Sequence, residues 1–350
     1  MENLFITDLD ESLLSRNFKV VRDNPLGFSG AMRLVDEVFA SAKQIDKDFK
    51  IQFQTKGFDA RIWELYLLAV FQEFNFQIIR EMPSPDFELI SNEGKKLYVE
   101  AVTSNPEFNK EIDDKLQVIQ KLKDEDIPAF LEDLRRNSLI RIAGALFNKY
   151  KMKYWDLERV KGHPLILAVE AFHHSFALDI TDSSLIGYLY GFDNTWYHDD
   201  KGQLIINTVE ATEHTDGRKI IPSNFFALPG AENISAVMFS NSGTISKFNR
   251  LAKLKGYGDP SIIMIREGTC YDHDPNAAAP LRFRYTVGGD GPEETWREGL
   301  AIYHNPNAIH KLEEKDFPGI LHGFYEEYFY TYMPEFHPFT SITNNHIFVT

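Results

Sequence analysis

One cysteine, Cys270, is all the thiol this 350-residue chain contains. A disulfide framework within the chain is excluded, and so is a zinc site of the usual thiolate kind. The simplest expectation is a reducing, cytoplasmic compartment. Long apolar runs are also missing. The longest, around Leu65 to Phe71, is flanked by charge and falls well short of the ~20 residues that span a bilayer. Met1-Glu2-Asn3-Leu4 has neither the basic nor the apolar region of a signal peptide. Positive charge is scarce: 37 Lys and Arg face 52 Asp and Glu, a net charge of −15. That weighs against broad electrostatic binding of nucleic acid, although a local patch or a bound cation can reverse the local sign. There is no Gly-x-Ser-x-Gly elbow, no P-loop, no dinucleotide fingerprint, no internal repeat and no low-complexity segment.

What is present is ordinary folded material, 43% hydrophobic and 25% charged. Length suggests about two domains, yet no linker separates them. Residues 1–56 are expected to be helical, with Met32, Val35, Val38 and Phe39 at helical spacing between Ala31 and Lys43. Phe58, Ile62, Leu65, Leu68, Ala69 and Gln72 fall at steps of three and four, which predicts a helix over 58–73. Strands follow at Phe76 to Ile79, Asp86 to Ile90 and Leu97 to Thr103, punctuated by Pro83, Pro85 and an Asn92-Glu93-Gly94 turn. Helices are expected over Glu111 to Lys123, Ala129 to Arg136 and Ser138 to Tyr154. Leu165-Ile166-Leu167-Ala168-Val169 suits a strand buried on both faces. Beyond residue 173 the pattern weakens. A helix near Ser184 to Tyr190, a basic helix at Ser246 to Leu254, and strands near Leu204 to Val209, Ile234 to Phe239, Ser261 to Arg266 and Leu281 to Val287 are expected.

Three carboxylates stand out in this order: Glu64 in the apolar helix, Asp86 at a strand start, and Glu100 late in the next strand. Side chains alternate along a strand, so Tyr98, Glu100 and Val102 share one face. The 14 residues from Asp86 to Glu100 allow two antiparallel strands and a tight turn, which sets the two acids side by side. Hard cations such as Mg²⁺ take one or two such carboxylates and keep waters. A carboxylate in the position of Glu64 needs a partner, a metal or solvent.

Helix–strand–strand–strand–helix–strand, with Glu64, Pro85-Asp86 and Glu100 in those slots, resembles the PD-(D/E)XK nuclease superfamily. The resemblance covers about residues 57–172. It implies an α/β fold with a restriction-endonuclease-like core: a helix, a three-stranded antiparallel meander, a helix and a strand. Residues 1–56 would then be a helical N-terminal segment and 173–350 a C-terminal α+β extension packed on the core. It also implies that Asp86 and Glu100 bind Mg²⁺ or Mn²⁺, that Glu64 joins them at the metal, and that a lysine assists. The usual lysine slot, two residues after the glutamate, holds Val102. Lys96 shares the face but lies ~13 Å along the strand. A lysine moved to the following helix would be Lys149 first and Lys153 second, four apart on one face.

The resemblance implies phosphodiester hydrolysis, of DNA ahead of RNA. The alternative is an inactive nuclease-fold binding or interaction module, and a third reading is an unrelated α/β enzyme. Lys247, Arg250 and Lys253 step by three and could line a phosphate-contacting helical face. Arg135, Arg136 and Arg141 form a second basic cluster. Asp272-His273-Asp274 begins like a calcium loop but lacks its glycine and final glutamate. His173-His174 ends the buried strand and reads as a surface feature. The aromatic stretch Phe324 to Phe339 reads as core or interface ahead of a base-stacking platform. No membrane partner is expected, and a homo-oligomer stays open.

Overall fold

A computed structural model describes residues 3–42, 48–80, 84–106 and 115–347. Lys43, Pro83 and the first part of the helix expected at Glu111 to Lys123 lie outside the described residues. The N-terminal helices are α1 (Arg16–Arg22), α2 (Pro25–Ser41), α3 (Phe49–Gln54) and α4 (Phe58–Glu73). They lead into β1 (Gln77–Ile79), β2 (Phe87–Ile90) and β3 (Lys96–Ser104), then α5 (Lys115–Lys121), α6 (Ile127–Lys151), β4 (Leu165–Ala171) and α7 (Ser183–Tyr190). Two hairpins come next, β5 (Phe192–His198) with β6 (Leu204–Glu210) and β7 (Glu213–Thr215) with β8 (Ile220–Pro222). The remainder is β9 (Ala236–Ser240), α8 (Ile245–Leu254), β10 (Ile262–Cys270), β11 (Leu281–Thr286), β12 (Leu300–His304), β13 (Leu321–Tyr325), β14 (Phe329–Tyr332) and β15 (Pro338–Ile347).

The chain is a mixed α/β protein built on one large mixed sheet of eight strands, in the order β1-β2-β3-β4-β9-β12-β13-β14. β1, β2 and β3 form an antiparallel meander, and β3, β4 and β9 run parallel at its centre. Every residue of β4 and β9 is buried, which is why they read as largely apolar runs rather than alternating ones, with Glu170 the charged exception in β4. Four of the eight strands come from beyond residue 172, so the division expected there falls inside one sheet. A second sheet, β11-β10-β15, is antiparallel throughout.

Alternation along β3 separates two cores. Leu97 and Val99 join a core with α1 to α4, while Tyr98 and Val102 join a core with α6 and α7. α4 is buried nearly all round because it is sandwiched. Trp63 Nε1 donates to Ala168 O of β4 at 3.1 Å on one side, and Phe58 packs on Phe18 and Phe53 on the other. α6 is one unbroken helix of 25 residues where two were expected, and it ends at Lys151. The aromatic stretch near the C-terminus becomes β14 and its flanks. Tyr325 and Phe329 pack on Tyr190 and Phe192 against the core, whereas Tyr328 and Tyr332 are exposed, so only part of the stretch is core. Among the described residues no helix is long and apolar enough to cross a membrane.

Leu67, fully buried in the middle of α4, tests this arrangement. Leu67→Ala is expected to lower unfolding free energy by about 2–5 kcal/mol, with an unchanged denaturant slope in urea titration.

Candidate active site

The register of the β2–β3 hairpin pairs Phe87 with Val99, which carries Asp86 to the place opposite Glu100. β2 starts two residues too late to offer Ala101 N–H a ladder partner. The Asp86 carboxylate takes that donor instead, Ala101 N to Oδ2 at 2.7 Å, and Asp86 N–H points to Glu100 Oε2 at 3.3 Å. The two acids are therefore linked through the backbone as well as by proximity.

Glu100 is 2% exposed on the α6 side of the sheet. Its Oε1 accepts from Lys149 Nζ at 2.5 Å and from the Tyr154 hydroxyl at 2.8 Å. Lys149 comes from the last turn of α6 and Tyr154 from the short turn Tyr154–Asp156 that follows. Lys149 is thus the lysine that meets the acids. Lys153 is not: α6 stops at Lys151, and Lys153 sits exposed in a left-handed conformation (φ 48°, ψ 48°) outside the helix. The shared helical face expected for the two lysines does not form. Val102 points into the core between β3 and α6, and Lys96 pairs with Glu88 at 2.6 Å on the same strand pair.

Glu64 comes close but keeps different company. Arg61 Nη1 donates to both its oxygens at 2.7 and 2.9 Å, and Arg80 Nη2 donates to Oε2 at 2.8 Å. Both oxygens are engaged by guanidinium groups, so Glu64 stands as an ion-paired residue in this structure. Among the described residues no group of three or more His, Cys, Asp or Glu side chains has the spacing to hold a metal. Glu64 still acts on the site through its charge. Burial, then Glu100, then Glu64 raise the Asp86 carboxyl well above its ordinary range, against the Ala101 N–H and Lys149. Burial and the Glu100 carboxylate likewise push the Tyr154 phenol up, so it stays a protonated donor.

The basic helix is not a phosphate-contacting face. Lys247 and Arg250 are buried, and both pair with Glu294, at 3.0 and 2.8 Å. Arg266 joins them through Glu298 at 2.5 Å, and Lys253 Nζ donates to Ile262 O at 2.8 Å. Burial would raise Glu294, yet Arg250, Lys247 and Arg266 together hold it below the usual carboxylate range. The helix reads as basic because its acidic partners lie some forty residues further on. Arg135 and Arg136 both bind Glu132, and Arg141 donates to Asn105 O. His173 is bracketed by the Ser104 and Ser138 hydroxyls at 3.1 and 3.2 Å, and burial lowers it to about 3, a neutral structural imidazole.

Three side chains at the site escaped sequence reasoning. Arg61 had a signal, standing three residues before Glu64 on one helix face. Arg80 and Tyr154 had none, because their contacts depend on chain reversals after β1 and α6. No family model, no curated protein and no solved structure matches the chain.

Two predictions follow from these charges. The folded state retains a proton on Asp86 that the unfolded chain gives up near its ordinary value of 3.8. Its contribution to stability is therefore present at acid pH and lost as pH rises toward the raised value. Asp86→Asn is expected to raise the melting temperature at pH 8, with a smaller gain at pH 5; an equal shift at both would show that titration is not the cause. Glu294→Ala leaves three buried cations short of a counter-ion. It is expected to cost about 3–5 kcal/mol in chemical unfolding.

Proposed function

We propose that the chain is a metal-dependent phosphodiesterase of nuclease type, acting on DNA ahead of RNA. One observation carries this reading: Asp86 just before β2, Glu100 of β3 and Lys149 of α6 converge where the β2–β3 hairpin meets the end of α6. A lysine on the helix after the third strand compensates for Val102 in the slot where the PD-(D/E)XK pattern has one.

The residues fit a hard divalent cation. Mg²⁺ or Mn²⁺ commonly takes one or two protein carboxylates, so Asp86 and Glu100 suffice without Glu64. Two acids held side by side, one of them pushed toward its neutral form, are what a cation would relieve. Bound there, the ion would neutralise phosphate charge and lower the pKa of a water. The rest falls to the protein. Lys149, one-third exposed, holds its charge where a phosphodiester can reach it and can stabilise the charge that develops during hydrolysis. Arg61 and Arg80 pair with Glu64, as Lys149 pairs with Glu100.

A second reading, a nuclease-like module that binds without cleaving, draws support from the engaged Glu64 and the net charge of −15. Plasmid cleavage separates the two. Mg²⁺-dependent nicking is expected, abolished in Asp86→Ala and Glu100→Ala and lowered roughly 10²–10³-fold in Lys149→Ala. Lys153→Ala should cleave like the unaltered protein. The Mg²⁺ concentration for half-maximal rate should rise as pH falls, because Asp86 must lose its proton to bind the ion. A clean preparation with neither cleavage nor metal binding would leave the binding module standing.

A further inference from the structure

The turn after α6 has a conformation that its sequence does not favour. Lys153 is left-handed (φ 48°, ψ 48°), a region that side chains other than glycine enter at some cost. The consequence is specific. Had α6 continued, Tyr154 would lie ~140° around the helix from Lys149 and point away from Glu100. With the helix broken and the chain turned at Lys153, Tyr154 swings back under the sheet. Its ring packs in the core formed by α6, α7 and the sheet, and its hydroxyl reaches Glu100 Oε1 at 2.8 Å. That oxygen also receives Lys149 at 2.5 Å. The two donors together hold Oε1 and so turn Oε2 toward Asp86, where it accepts the Asp86 N–H at 3.3 Å and is the oxygen on the side an ion would approach.

We infer that Tyr154 is a positioning residue for the metal site, with the left-handed turn at Lys153 as the device that delivers it. This rests on the phosphodiesterase reading above and extends it to a residue outside the acids and the lysine. Tyr154 fixes the rotation of the Glu100 carboxylate and keeps Lys149 from sharing both oxygens. Lys153 contributes through its backbone rather than its charge.

The test is Mn²⁺ binding to the free protein by titration calorimetry, without DNA, beside thermal unfolding. Tyr154→Phe removes one oxygen and keeps the ring. It is expected to weaken Mn²⁺ about 10–100-fold, the usual loss when a group orienting a metal ligand is removed, with the melting temperature changed little. Lys153→Pro, which cannot adopt positive φ, should lose affinity to a similar extent with Tyr154 intact. Lys153→Gly, which adopts it freely, should bind as the unaltered protein does. Wild-type affinity in Tyr154→Phe would overturn the role of Tyr154 while leaving the phosphodiesterase reading in place. Failure of the unaltered protein itself to bind Mn²⁺ would overturn both.

Discussion

A carboxylate buried to 2% exposure between a sheet and a helix has to be answered by something, and around Glu100 the answer organises the surrounding elements. An ion pair alone would repay little of the desolvation. Here Glu100 has an ammonium from the end of α6, a phenol from the turn beyond it and a backbone N–H from the start of β2. Those contacts fix three otherwise independent features: where β2 begins, how far α6 extends and which way the chain leaves it. The same acid that makes chemistry conceivable therefore sets the local geometry.

The C-terminal half repeats the logic without a site. Lys247, Arg250 and Arg266 gather on Glu294 and Glu298 inside the protein, joining α8 to the second sheet. Each charge there has a partner of opposite sign, and Glu294 is held firmly ionised. At Asp86 the balance goes the other way: burial, then the Glu100 and Glu64 carboxylates, push the carboxyl toward neutrality. What differs is the partner. Glu64 and Glu100 hold cations, while the Asp86 carboxylate accepts the backbone N–H of Ala101.

Legibility in the sequence followed the range of the interactions. The α4 helix, the meander and the parallel β4 strand were readable because local periodicity determines them. Asp86 beside Glu100 was readable for the same reason, since a hairpin of known length fixes its own register. Lys149 was ranked ahead of Lys153 but both were placed on one helix, because the end of α6 comes with the chain reversal at Lys153 rather than with any proline or glycine. Lys247 and Arg250 misled because a basic helix looks the same whether its counter-ions are phosphates or distant glutamates. Strands β12 to β14 were not read. β12 pairs with β9, some sixty residues earlier, and β13 and β14, though a local hairpin, carry aromatic residues without a clear polar–apolar alternation.

The lysine that meets Glu100 stands on a helix rather than on the strand that carries the acid. A lysine two residues beyond Glu100 would be fixed by the strand that carries the acid, and the pair would move as one body. Lys149 instead stands on α6, and its distance from Glu100 depends on how that helix packs against β3 and β4. The packing is apolar and close: Leu139, Ile142, Ala143 and Leu146 of α6 share one core with Val102 and Leu167. Val102 thus packs in the interface that seats the helix carrying Lys149. A shift of α6 by part of a turn would break the contact with Glu100, and Tyr154, tied to the same oxygen from beyond the helix end, opposes such a shift.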